Sequence, residues 1–136
     1  MWFWSLPEEI RANCYPNERI PRAGLLDLMT KSRVMLAPSL VDGVPNAMYE
    51  AMAAGAFPIV SPLETIRPLV AEERNVLFAR NLYPHEIASA LVRAMNDDAM
   101  VDEAAQRNLA LVRRVANRTA IRERVIDLYE RLAAVN

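Results

Sequence analysis

The run from Asp42 to Gly55 constrains this chain more than any other stretch. An apolar segment precedes it, Val34-Met35-Leu36-Ala37-Pro38, and another follows it, Phe57-Pro58-Ile59-Val60-Ser61. Short continuous apolar runs bounded by turn residues read as buried strands. Between them the pattern changes period. Pro45 suits the first position of a helix, where its missing N–H costs nothing. Gly55 suits the carboxyl cap of the same helix. Strand, acidic turn, helix and strand in that order predict a parallel sheet whose carboxyl edge carries a ligand site.

The same periodicities run outward from this centre. Leu25, Leu26, Leu28 and Met29 predict a helix over residues 22–31. Residues 1–20 hold Pro7 and Pro16 with Pro21 just beyond, carry no clean period, and read as mostly irregular. Residues 64–70 read as a short helix or turn around Pro68, and residues 75–79 as a third strand. Pro84 opens a helix to Asn96 with Ile87, Leu91 and Ala94 on one face. A second helix is predicted over 99–117 with a stripe of Ala105, Leu109, Val112 and Ala116. The last runs over 119–134, capped by Thr119, with Ile121, Val125, Leu128 and Leu132 as its stripe. The expectation is one α/β domain over residues 1–136, a parallel sheet flanked by helices. Three strands are few for a doubly wound sheet, so the chain reads as part of a larger domain.

Composition narrows the function classes. Net charge is −1, which argues against nucleic acid as a partner. The basic residues Arg107, Arg113, Arg114, Arg118, Arg122 and Arg124 alternate with apolar ones at helical spacing and read as a solvated face, with an anion or membrane patch as the sharper alternative. Cys14 is the single cysteine, so there is no internal disulfide and no zinc cluster to build. The opening Met1-Trp2-Phe3-Trp4-Ser5-Leu6 lacks the basic flank and length of a signal peptide. Its aromatics read as packed on the domain, or as an interface or membrane-surface anchor.

The chemistry gathers at Asp42 to Glu50. Asn46 and Glu50 are four apart and share a helix face. The first-turn amides of that helix point outward with the positive end of its dipole, which favours a phosphate. Gly43 leaves room for close approach, and the amides on offer are those of Gly43, Val44, Asn46, Ala47 and Met48. Asp42 and Glu50 are acceptors suited to sugar hydroxyls, and each charge-assisted hydrogen bond contributes about 1.5–3 kcal/mol. Taken singly, Asp before Gly is an ordinary turn and Glu in a helix is ordinarily solvated. The helix around Glu50 is small and apolar (Ala47, Ala51, Met52, Ala53, Ala54), so a charge there needs a partner or a ligand.

The string Pro38-Ser39-x-x-Asp42-Gly43-x-Pro45-Asn46-x-x-x-Glu50-Ala51-Met52-Ala53-x-Gly55-x-x-Pro58-Ile59-Val60 resembles the nucleotide-sugar signature of the large retaining glycosyltransferase family with the GT-B fold, glycosyl transferases group 1. The resemblance extends through Asn75-Val76-Leu77-Phe78 and spans about residues 20–134. It implies a Rossmann-like sheet forming the carboxyl-terminal, donor-binding half of a GT-B enzyme. Asp42 would touch hydroxyls of the donor sugar. The backbone at Gly43, Val44 and Asn46 would line the sugar and distal phosphate, and Glu50 would hold the ribose. The loop Arg19-Ile20-Pro21 would lie near the nucleobase. The reaction would transfer a hexose from a nucleoside diphosphate sugar to a glycan or lipid-linked acceptor with retention, without metal or other cofactor.

Departures from the family pattern are informative. Asp42 stands where glutamate is usual, Val44-Pro45 where Phe-Gly is common, and Arg67-Pro68 where Pro-Glu is frequent. The basic pair for the donor diphosphate and the acceptor half with its histidine fall outside the matched stretch. His85 opens a helix and does not replace that histidine. The implied partners are the donor and an amino-terminal acceptor domain. The chain by itself is expected to be inactive and to pair as a homodimer through its open sheet edge. The implied location is cytoplasmic, with peripheral association at the membrane face. The alternatives are a GT-B-like sugar-nucleotide epimerase and a non-catalytic GT-B-like interaction domain. A receiver-like signalling domain needs a late lysine, and none follows Lys31.

Overall fold

The computed structural model describes residues 2–134. A 3₁₀ turn at Trp2–Ser5 and a one-turn helix α1 (Glu8–Arg11) open the chain, followed by irregular backbone to Pro21. The remaining order is α2 (Arg22–Thr30), β1 (Val34–Ala37), α3 (Asn46–Ala54), β2 (Phe57–Val60), β3 (Leu77–Phe78), α4 (Pro84–Asn96), α5 (Asp98–Val115) and α6 (Arg118–Ala133). The three strands form one parallel sheet in the order β1-β2-β3. This is the expected α/β, Rossmann-like arrangement.

Strand β2 is central and buried throughout. Its side chains alternate between two faces. Phe57 and Ile59 join Leu77, Ala79, Ala90, Ala94, Met100, Val101 and Ala104 on the α4–α5 side. Val60 joins Met48, Met52, Ile66, Val70 and Val76 on the α3 side. Burying each large apolar side chain contributes about 1.5–3 kcal/mol. Pro58 sits in this central strand without losing a ladder bond. The Phe57 amide donates toward β1, to the Arg33 carbonyl at 2.8 Å. Alternation turns position 58 toward β3, and β3 pairs only with Ile59 and Val60. A missing N–H is harmless there.

Helix α3 ends in a Schellman turn. Gly55 has φ 88°, Ala56 N donates to Ala51 O at 3.0 Å, and Gly55 N to Met52 O at 3.3 Å. Ala51 and Ala56 then pack together against Met29 of α2.

Several expectations are corrected. Pro45 lies one position earlier than expected, as the residue before the helix rather than its first member. Residues 64–69 are turns, one of the two forms expected there, whereas the third strand shrinks to Leu77–Phe78. The buried stripe of α5 is Met100, Val101, Ala104 and Asn108, not the one through Ala105 and Leu109. Asn117, not Thr119, caps α6: its side-chain oxygen accepts from Thr119 N at 3.0 Å and Ala120 N at 3.3 Å. The amino-terminal stretch is mostly irregular as expected, interrupted by the 3₁₀ turn and by α1. Cys14 and Trp4 are exposed, and Phe3 packs edge-on against Trp4 at 5.1 Å. No helix among the described residues is long and apolar enough to cross a membrane.

Candidate functional site

The carboxyl ends of all three strands are tied together by side chains. Ser61, just past β2, is 2% exposed. Its hydroxyl accepts from Ser39 N at 3.0 Å and donates to Ala79 O at 3.3 Å. Asn81, just past β3, donates from Nδ2 to Pro38 O at 2.8 Å. The loop leaving β1 is thereby pinned over the sheet. Farther along it, the Thr65 hydroxyl reaches the carbonyls of Asp42 and Gly43 at 3.0 and 3.2 Å. Leu82, next to Asn81, holds φ 66°, a left-handed backbone that leucine adopts at a cost.

The Asp42 side chain and Val44 are exposed on this loop. Gly43 is not left-handed, and a Cβ built on it meets no atom within 4 Å. What the glycine provides is open space above the backbone rather than an unusual conformation. The loop delivers the chain to α3, whose start carries no side-chain cap. Met48 N, expected to be on offer, instead donates to Pro45 O at 3.0 Å, so among the described residues the outward donors at that start are the Asn46 and Ala47 amides.

Asn46 and Glu50 line one cleft of about 440 Å³ with Tyr49, Arg22, Ala53, Val112 and Ala116. The helical spacing brings these two residues together as expected. Burial pushes the Tyr49 hydroxyl above its ordinary range. Asp42, Gly43 and Val44 are not part of this cleft's wall; they lie on the loop that leads to it. Arg19, Ile20 and Pro21 stand outside it too, but Pro21 precedes α2 and sets Arg22 at that helix's first position. The cleft continues past Asn46 and Tyr49 into a second of about 540 Å³, bounded by Arg118, Ile121, Arg122 and Val125 of α6.

Arg22 is the neighbour that sequence reasoning missed. Its Nη2 and Nε donate to Glu50 Oε1 at 2.7 and 3.1 Å. The Arg22 side chain is 76% exposed and that of Glu50 24%. The charge on the apolar helix thus has a partner, 28 residues away in sequence. Ser61, Thr65 and Asn81 were also missed. Ser61 and Asn81 had a signal, as polar residues at the end of one predicted strand and two positions past another; Thr65 had none.

A second polar group lies at the start of α4. Arg80 grips Glu86 and stacks 4.0 Å over the Tyr83 ring. The Arg80 hydrogen bonds hold the Glu86 carboxyl below its ordinary range. Arg93 does the same for Glu73. His85 is exposed beside Glu86, on a cavity of about 390 Å³. Among the described residues, no three His, Cys, Asp or Glu side chains gather as a metal site.

This is the Rossmann-like part of a GT-B glycosyltransferase domain. The model of the family "Glycosyl transferases group 1" matches residues 9–97, and the chain belongs to that family. No curated protein sequence matches the chain. Among solved structures, sucrose-phosphate synthase from Thermosynechococcus elongatus superposes with a TM-score of 0.82 at 23% identity. That likeness covers 88% of this chain and 30% of the synthase.

Proposed function

We propose that this chain is the donor-binding portion of a retaining glycosyltransferase. It would hold a nucleoside diphosphate sugar for transfer to a glycan or lipid-linked acceptor. An acceptor domain outside this chain would complete the enzyme, and no metal or other cofactor is invoked.

One observation supports the reading above all: Asn46 and Glu50 share a cleft that begins at the uncapped amino end of α3. Phosphate oxygens favour such a helix start, and a carboxylate one turn along suits a ribose diol. Asp42, Gly43 and Val44, on the pinned loop before α3, would line the sugar and distal phosphate, and Arg19, Ile20 and Pro21, joined directly to Arg22, would meet the base.

Glu50→Gln is expected to weaken nucleoside diphosphate binding by about 1–3 kcal/mol, because the diol loses a charged acceptor. Calorimetric titration of the full-length enzyme measures it, and an unchanged dissociation constant removes Glu50 from the site. Asp42→Ala is expected to reduce turnover of the sugar donor more than binding of the bare nucleoside diphosphate. Equal losses would contradict its place beside the sugar.

A further inference from the structure

The geometry points to Arg22 as a positioning residue for ribose recognition, acting through Glu50. The inference rests on the reading of Glu50 as the ribose acceptor and adds how that acceptor is aimed. Both Arg22 bonds end on a single oxygen, Glu50 Oε1. Among the described residues no bond engages Oε2, so that oxygen keeps both lone pairs for hydroxyl donors. Two guanidinium donors converging on Oε1 hold that oxygen in place, so Oε2 is the one left to receive a hydroxyl.

Arg22 is otherwise badly sited. It occupies the first position of α2, at the positive end of the helix dipole, with no acidic residue in that turn. It is also mostly exposed, so packing does not account for it. A residue that breaks a local rule at a site is a candidate for a functional role. Chain continuity adds a second consequence. Arg22 follows Arg19-Ile20-Pro21 directly. A nucleobase resting on that loop would therefore shift, or steady, the group that aims Glu50.

The test compares ribose with 2′-deoxyribose. Uridine, guanosine and adenosine diphosphates are titrated into the full-length protein, and the tightest is compared with its 2′-deoxy form. The wild type is expected to prefer the ribose form by about tenfold, the ratio one lost charge-assisted hydrogen bond produces. In Arg22→Ala that ratio should fall to about one or two, with Arg22→Lys intermediate, because lysine restores charge without the planar fork. Arg22→Ala combined with Glu50→Gln should lose no more of the ratio than Glu50→Gln alone, the mark of two residues acting as one. A wild-type ratio retained in Arg22→Ala but lost in Glu50→Gln overturns the role of Arg22 and leaves the site reading intact. A ratio unchanged in both, or absent in the wild type, overturns the site reading and this inference with it.

Discussion

Helices α5 and α6 follow one another with two residues between them, and they share an arginine-rich, amphipathic pattern. Their fates differ. α5 buries Met100, Val101, Ala104 and Asn108, and touches the core on both faces of the sheet. α6 buries none of its residues, and Ile121, Val125, Leu128 and Leu132 all stand exposed. Polar ties follow the same division. Arg33 bonds Asp98 at the start of α5 at 2.6 Å and also the Ala94 carbonyl at 2.9 Å. Among the described residues the one ion pair on α6, Arg131 with Asp127, stays within the helix. An apolar stripe shows that a helix has a face to cover. It does not show what covers it.

The largest effect that could break this contrast is expected at Met100. Met100→Ala should cost about 2–4 kcal/mol, lost burial plus a cavity between α5 and β2. Urea unfolding measures it; a cost below about 1 kcal/mol would mean that α5 is no better packed than α6. Asn108 comes next. It is 1% exposed, donates to the Asn75 carbonyl at 2.8 Å and accepts from Asn75 Nδ2 at 2.8 Å. Asn108→Ala strands both partners and should cost about 1–3 kcal/mol.

On α6, Leu128→Ala should change stability by no more than about 0.5 kcal/mol. Amide exchange sharpens the point: α6 should exchange well before the buried half of α5. Equal protection would show α6 covered in solution.

The smallest effect concerns pH. The Glu73 and Glu86 carboxyls are lowered by their arginine hydrogen bonds. A lowered folded-state value favours the ionised native form. Its contribution is present above the ordinary glutamate range near about 4.3 and fades as pH falls through the lower folded value. Carboxyl-carbon NMR should show both groups titrating below that range, with only a slight loss of stability, since exposed pairs contribute little.

Much of the centre was legible because local signals agreed there. Val34–Ala37 and Phe57–Val60 are apolar runs with no competing period, and Pro84 fixed the start of α4. α5 was misread by one position because alanines lie on several of its faces, and because buried Asn108 counts as polar in any apolar pattern. Its partner Asn75 is 33 residues away. The site was legible to the same depth. Asn46 and Glu50 follow from helical spacing, whereas Arg22 meets Glu50 only when α2 lies beside α3, a tertiary fact without a sequence period. Asn117 and Thr119 are both good caps, and the backbone chose the earlier one.

Ser61 links what would otherwise be three independent strand ends. One hydroxyl holds the exit of β1 through Ser39 and the end of β3 through Ala79. Holding each loop residue in one conformation costs about 1–2 kcal/mol of entropy. With the exit clamped during folding, much of that cost is met before any ligand arrives. A donor landing on Gly43 and Val44 would then meet a surface already in shape, and more of its contact energy would remain as affinity.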